Sequence, residues 1–97
     1  MSEPLQVTPV TAAQTGTYIY DLGIHGVFKL TFTVPGVTSD SVVMVSMTEL
    51  ANGSNLPFVG DATLTVHNVA PGNGTVQLRG EVDWDSDLSV RVSFLIA

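Results

Sequence analysis

The sequence predicts an all-β protein: an antiparallel β-sandwich, or a small barrel, of about six strands with an extended N-terminal arm. Three observations predict it. Apolar and polar residues alternate with period two through most of the chain, as they do in strands buried on one face. Val, Thr, Ile and Phe, which suit a pleated and half-buried surface, are abundant in these runs. Short clusters with turn chemistry, "GIHG", "PGVTSD", "ANGSNLP", "APGNG" and "DSD", separate them.

Residues 1–16 read as the arm and residues 17–97 as a single domain. Within the arm, Leu5–Ala13 has β-type composition but is broken by Pro9 and preceded by Pro4. Proline belongs on sheet edges. The arm is therefore an edge strand or a segment laid on a neighbouring subunit, presenting Leu5, Val7 and Val10. The first strand, Thr17–Leu22, sets Tyr18 and Tyr20 on one face. That pair suits a sugar site at a sheet edge, a contact with a partner chain, or ordinary core. The second strand, Val27–Val34, points Phe28, Leu30, Phe32 and Val34 to one side. The third, Ser41–Leu50, contains "VVMV" at Val42–Val45 and is apolar on both faces. A strand in a two-layer sandwich should have one wet face. Val42 and Met44 therefore need cover, from the protein's own arm or from another subunit.

The last three strands are Gly60–Val69, Thr75–Trp84 and Leu88–Ile96. Their patterns predict a meander. A three-residue loop, Asp85-Ser86-Asp87, would set Trp84 opposite Leu88, Val82 opposite Val90, Leu78 opposite Phe94 and Val76 opposite Ile96. The other face would pair Glu81 with Arg91. A five-residue loop from Val69 to Asn73 would set Val66 opposite Val76 and Leu64 opposite Leu78. Asp61, Thr63, Thr65, His67, Gln77, Arg79, Glu81 and Ser93 form the polar face of this meander. The first three strands would cover its apolar face, and Trp84 would plug one end of the core.

The chain has 97 residues, 44% hydrophobic and 12% charged, which suits one folded domain with a modest core. It contains no cysteine, so disulfides, thiolate metal sites and cysteine nucleophiles are excluded. Nine acidic residues face three cations, Lys29, Arg79 and Arg91, for a net charge of −6. Three scattered cations cannot supply a nucleic-acid footprint, in which each phosphate contact needs its own counter-charge. Neither nucleic acid nor a membrane surface is an expected partner. No apolar run approaches a membrane span, and "MSEPLQ" carries no secretory-signal pattern.

Chemical motifs are few. Asp83, Asp85 and Asp87 follow the D-x-D-x-D spacing that opens an EF-hand loop. That loop needs Gly at its sixth position and Glu at its twelfth. Leu88 and Phe94 stand there instead. The remaining readings are a solvated turn or a looser Ca²⁺ site. His25 and His67 are the only histidines and show no zinc-ligand spacing. No serine stands in a nucleophile elbow, and "PGNGTVQLRG" joins two strands rather than opening a helix. Asn52 and Asn73 head glycosylation-type triplets that read as turn signals. No catalytic residue, cofactor or metal ligand is therefore assigned, and the chain is not expected to be an enzyme.

The last quarter of the chain, "GNGTVQLRGEVDWDSDLSVRVSFLIA", resembles the carboxy-terminal β-hairpins of small bacteriophage virion proteins, among them capsid decoration proteins and fibre or tail-tip modules. The resemblance implies a non-enzymatic, multi-copy component of a virion, assembled in the host cytoplasm. With the arm and the doubly apolar strand, it leads to an expected capsid decoration (cement) protein, a homo-oligomer with a trimer favoured. Its partners would be the major capsid protein or another virion protein, met through Leu5, Val7, Val10, Tyr18, Tyr20, Val42 and Met44. The alternative is a carbohydrate- or receptor-binding module of fibre or adhesin type.

Overall fold

Residues 16–97 are described by a computed structural model. They form seven strands: β1 (Gly16–Ile24), β2 (Gly26–Thr33), β3 (Val43–Leu50), β4 (Pro57–Phe58), β5 (Thr63–Pro71), β6 (Thr75–Asp83) and β7 (Leu88–Ile96). They make two antiparallel sheets, ordered β1-β7-β3-β4 and β2-β6-β5. Two facing antiparallel sheets are the predicted architecture. The short β4 was not anticipated. Its first residue is Pro57, tolerated because β4 lies at a sheet edge.

The core lies between the sheets. Phe28 and Phe32 from β2 and Val76, Leu78 and Val82 from β6 meet Val90, Val92, Phe94 and Ile96 from β7. Val34 and Val37, in the β2–β3 connection, close one end. Their segment is held there by Gly74, whose carbonyl accepts from Val34 N (2.9 Å) and whose N–H donates to the Val37 carbonyl (2.7 Å). Gly74 has φ +72°, a left-handed conformation that glycine adopts without a Cβ penalty.

The predicted meander is half correct. β5 pairs with β6, but β6 and β7 belong to different sheets. They face each other across the core instead of lying side by side. Trp84 therefore has no ladder partner in Leu88, and Glu81 does not meet Arg91. The Trp84–Asp87 connection carries the chain from one sheet to the other, a gap of about 10 Å. Apolar alternation cannot distinguish the two arrangements, because both require the same inward residues. The β5–β6 register also differs. Val66 lies opposite Gly80, Val69 opposite Leu78 and Pro71 opposite Val76, with a bulge at His67 that shifts the later residues by one. The connecting turn is only Gly72–Gly74, closed by Gly72 N donating to the Thr75 carbonyl (2.8 Å).

The β1–β2 connection crosses between sheets too. It does so through His25 and Gly26, the latter at φ +75°. β1 and β2 thus belong to different sheets and do not pair. The tyrosines of β1 link the two sheets at the end of β2. Tyr18 Oη donates to the Pro35 carbonyl (3.2 Å), and Tyr20 Oη donates to the Thr33 carbonyl. The Tyr20 ring sits 5.1 Å from Phe32 and 6.0 Å from Phe94, and Phe32 and Phe94 are 5.0 Å apart, centre to centre. These tilted and edge-on geometries suit aromatic quadrupoles.

Candidate functional site

The outer face of the β1-β7-β3 sheet is built by strand alternation. Val43, Val45 and Met47 turn inward onto the core, so Val42, Met44 and Ser46 turn outward. On β7, Phe94 and Ile96 are buried and Leu95 faces out. On β1, Ile19 lies between the inward tyrosines. The register aligns these residues in rows. Thr17, Leu95 and Met44 make one row, and Ile19, Ser93 and Ser46 make the next. Together they line a shallow depression of 520 Å³. Val42 extends it toward the end of the strand, where its carbonyl accepts from Ala97 N (3.0 Å). The apolar side chains here are widely open to solvent: Ile19 58%, Val42 57%, Met44 63% and Leu95 48%. Scattered apolar residues on a surface are ordinary; these four are instead gathered on one sheet face.

A polar row bounds the patch. Asp21 lies directly opposite Arg91 in the β1–β7 ladder. Arg91 Nε and Nη2 donate to the two carboxylate oxygens at 2.9 and 3.2 Å. This two-pronged bond holds the Asp21 carboxyl below its usual value of 3.8 and raises the Arg91 guanidinium. Among the described residues β1 is paired on one side only, so the patch runs out to an open strand edge.

Of the residues expected to contact partners, Val42 and Met44 lie on this face. Tyr18 and Tyr20 turn the other way and bond to carbonyls of their own chain. Leu5, Val7 and Val10 lie outside the described residues. Ile19 and Leu95 were missed, although a signal for Leu95 was present. The run "FLI" at positions 94–96 cannot place three apolar side chains on one face of a strand.

A second recess, of 390 Å³, opens at the end of the sandwich. Glu49 from β3, Phe58, Gly60 and Asp61 from the β4–β5 region, and Trp84 and Leu88 from the β6–β7 region line it. Trp84 does not plug the core; its side chain is 42% exposed at this rim. The Glu49 carboxylate packs over Gly60, 2.4 Å from where a Cβ at that residue would stand.

The Asp-rich connection lies at the same end. Asp87 Oδ1 is within hydrogen-bonding distance of His25 Nδ1, tying together the two turns that cross between sheets. Asp83 and Asp85 are exposed. Among the described residues no three acidic or histidine side chains converge as a metal site would require. His67 instead lies 3.7 Å from Glu81.

These features define a two-sheet antiparallel β domain with one apolar outer face and a small aromatic recess. No protein-family model matches the chain, and no match was found among curated proteins or solved structures.

Proposed function

We propose that this chain is a non-enzymatic structural subunit of a multi-copy particle, specifically a decoration (cement) protein on a bacteriophage capsid. The single observation that carries the assembly reading is the apolar outer face at Ile19, Val42, Met44 and Leu95. Among the described residues nothing covers these large apolar side chains. A neighbouring copy or a shell protein would remove them from water, at roughly 25 cal/mol per Å² of apolar area. The phage assignment rests on the resemblance of residues 72–97 to phage virion hairpins. In this reading the chain resides in the virion as a homo-oligomer, with a trimer favoured, against the major capsid protein or another virion protein.

The test is native mass spectrometry of the full chain, with saturation binding to expanded and unexpanded capsids. Oligomers and stoichiometric shell binding, both weakened by Met44→Glu, are expected. A monomer that binds neither kind of capsid would overturn the proposal.

The Trp84 recess favours a second reading, a carbohydrate- or receptor-binding module. An exposed indole supplies a stacking face, and Glu49 and Asp61 supply acceptors for sugar hydroxyls. A glycan array separates the two readings: specific sugar binding lost in Trp84→Ala would favour this one.

A further inference from the structure

The outer face of the β2-β6-β5 sheet carries a different feature. Lys29 and Arg79 are direct neighbours across the β2–β6 ladder, both exposed on the outer side. Like charges in this position repel. The chain has only three cations, and the third, Arg91, is engaged by Asp21 in the other sheet. Among the described residues neither Lys29 nor Arg79 has an ion-pair partner. Glu81, two residues from Arg79 on the same face, is turned to His67 instead. The β5 bulge brings Asn68 opposite Arg79, so ammonium, guanidinium and carboxamide stand in one row. They flank a depression of 170 Å³ lined also by Ala70 and Gln77. A row of N–H donors beside a polar hollow is complementary to carboxylates, which a guanidinium binds in two-pronged fashion.

The same chain offers such carboxylates. Asp83 and Asp85 are exposed and, with Asp87 taken by His25, have no ion-pair partner among the described residues. They cannot reach Arg79 within one copy. Asp83 is four residues further along the same extended strand, about 13 Å away at the rise of a β-strand.

We infer that Lys29 and Arg79 of one copy receive Asp83 and Asp85 of a second copy. This contact deepens the assembly reading and rests on it. It gives the like-charged pair a counter-charge and makes self-association depend on ionic strength. It uses the opposite sheet from the apolar patch, so it adds to the contacts made there and does not compete with them.

Charge exchange tests it, read by sedimentation velocity on the full chain. Lys29→Glu/Arg79→Glu and Asp83→Lys/Asp85→Lys should each weaken self-association by about tenfold or more. A mixture of the two variants should assemble again, because each then supplies what the other lacks. The neutral pair Lys29→Gln/Arg79→Gln should also lose affinity, and added salt should weaken the wild-type contact. If the wild type assembles but the variants assemble equally well, or the mixture fails to recover, this contact is wrong and the assembly reading stands. If the wild type remains a monomer at every concentration and binds no particle, both fall.

Discussion

Gly80 lies opposite Phe28 in the β2–β6 ladder, and the Phe28 ring occupies the space that a side chain at position 80 would need. A Cβ there would stand 3.0 Å from Phe28 Cζ and 2.8 Å from the Thr65 carbonyl oxygen. The first neighbour is a buried ring and the second is backbone, so neither yields easily. Gly80→Ala should destabilise the fold by about 1–3 kcal/mol, as overpacking of a filled core does. Urea unfolding measures this. In a Phe28→Leu background the added cost should shrink, because the two sites are coupled. Equal costs in both backgrounds would show that the ring is not what excludes the methyl group.

The Tyr20–Phe32–Phe94 cluster predicts two graded losses. Phe94 is fully buried at its centre, and Phe94→Ala should cost about 3–5 kcal/mol. Tyr20→Phe keeps the ring contacts and removes only the hydrogen bond to Thr33, for about 0.5–1.5 kcal/mol. Chemical denaturation of the two variants side by side gives the ratio. A Tyr20→Phe variant as stable as wild type would mean that the hydroxyl does not clamp β1 to β2.

The Asp21–Arg91 pair has a pH signature. Because the folded-state carboxyl titrates below its usual 3.8, its contribution is present above that value. The contribution is lost as the pH falls through the lowered value, since the unfolded chain then binds the proton more readily. Asp21→Asn should therefore be less stable than wild type at neutral pH and converge on it in strong acid. Unfolding midpoints across that range measure the effect; parallel curves would contradict it.

The outer apolar face separates folding from assembly. Met44 and Leu95 make no essential part of the core, so Met44→Glu or Leu95→Glu should change unfolding free energy by only about 0.5 kcal/mol. The same changes place a charge where a partner would bury it, and should reduce shell binding or self-association strongly. Loss of stability in step with loss of association would assign these side chains to the fold itself.

The inward faces were legible in the sequence because burial imposes period two on each strand regardless of its neighbours. Val76, Leu78 and Val82 face Val90, Val92 and Phe94 as their alternation requires. Which strands lie side by side was not legible. A row such as Val82 and Val90 satisfies its burial equally well across a ladder or across a core. The His67 bulge leaves no mark in the sequence, since one extra residue leaves the composition of β5 unchanged. At the candidate site, "VVMV" announced Val42 and Met44 because it has no polar position. Ile19 reads as an ordinary strand residue between Thr17 and Asp21 until the sheet shows which face it takes. The Trp84 recess combines segments far apart in the chain, and no local pattern links Glu49 with Trp84.

The pairing of Gly16 with Ile96 has a consequence for biosynthesis. β7 is the shared neighbour of β1 and β3, and it follows both of them, and β6, in the chain. Without it β1 and β3 lack the ladder that joins them, and the apolar row of β6 loses Val90, Val92 and Phe94 from its core. The domain can therefore close only once β7 is present, and slow closure of these distant contacts sets the pace of folding. A chain truncated before residue 88 should be a client for chaperones and proteases rather than a partly folded domain.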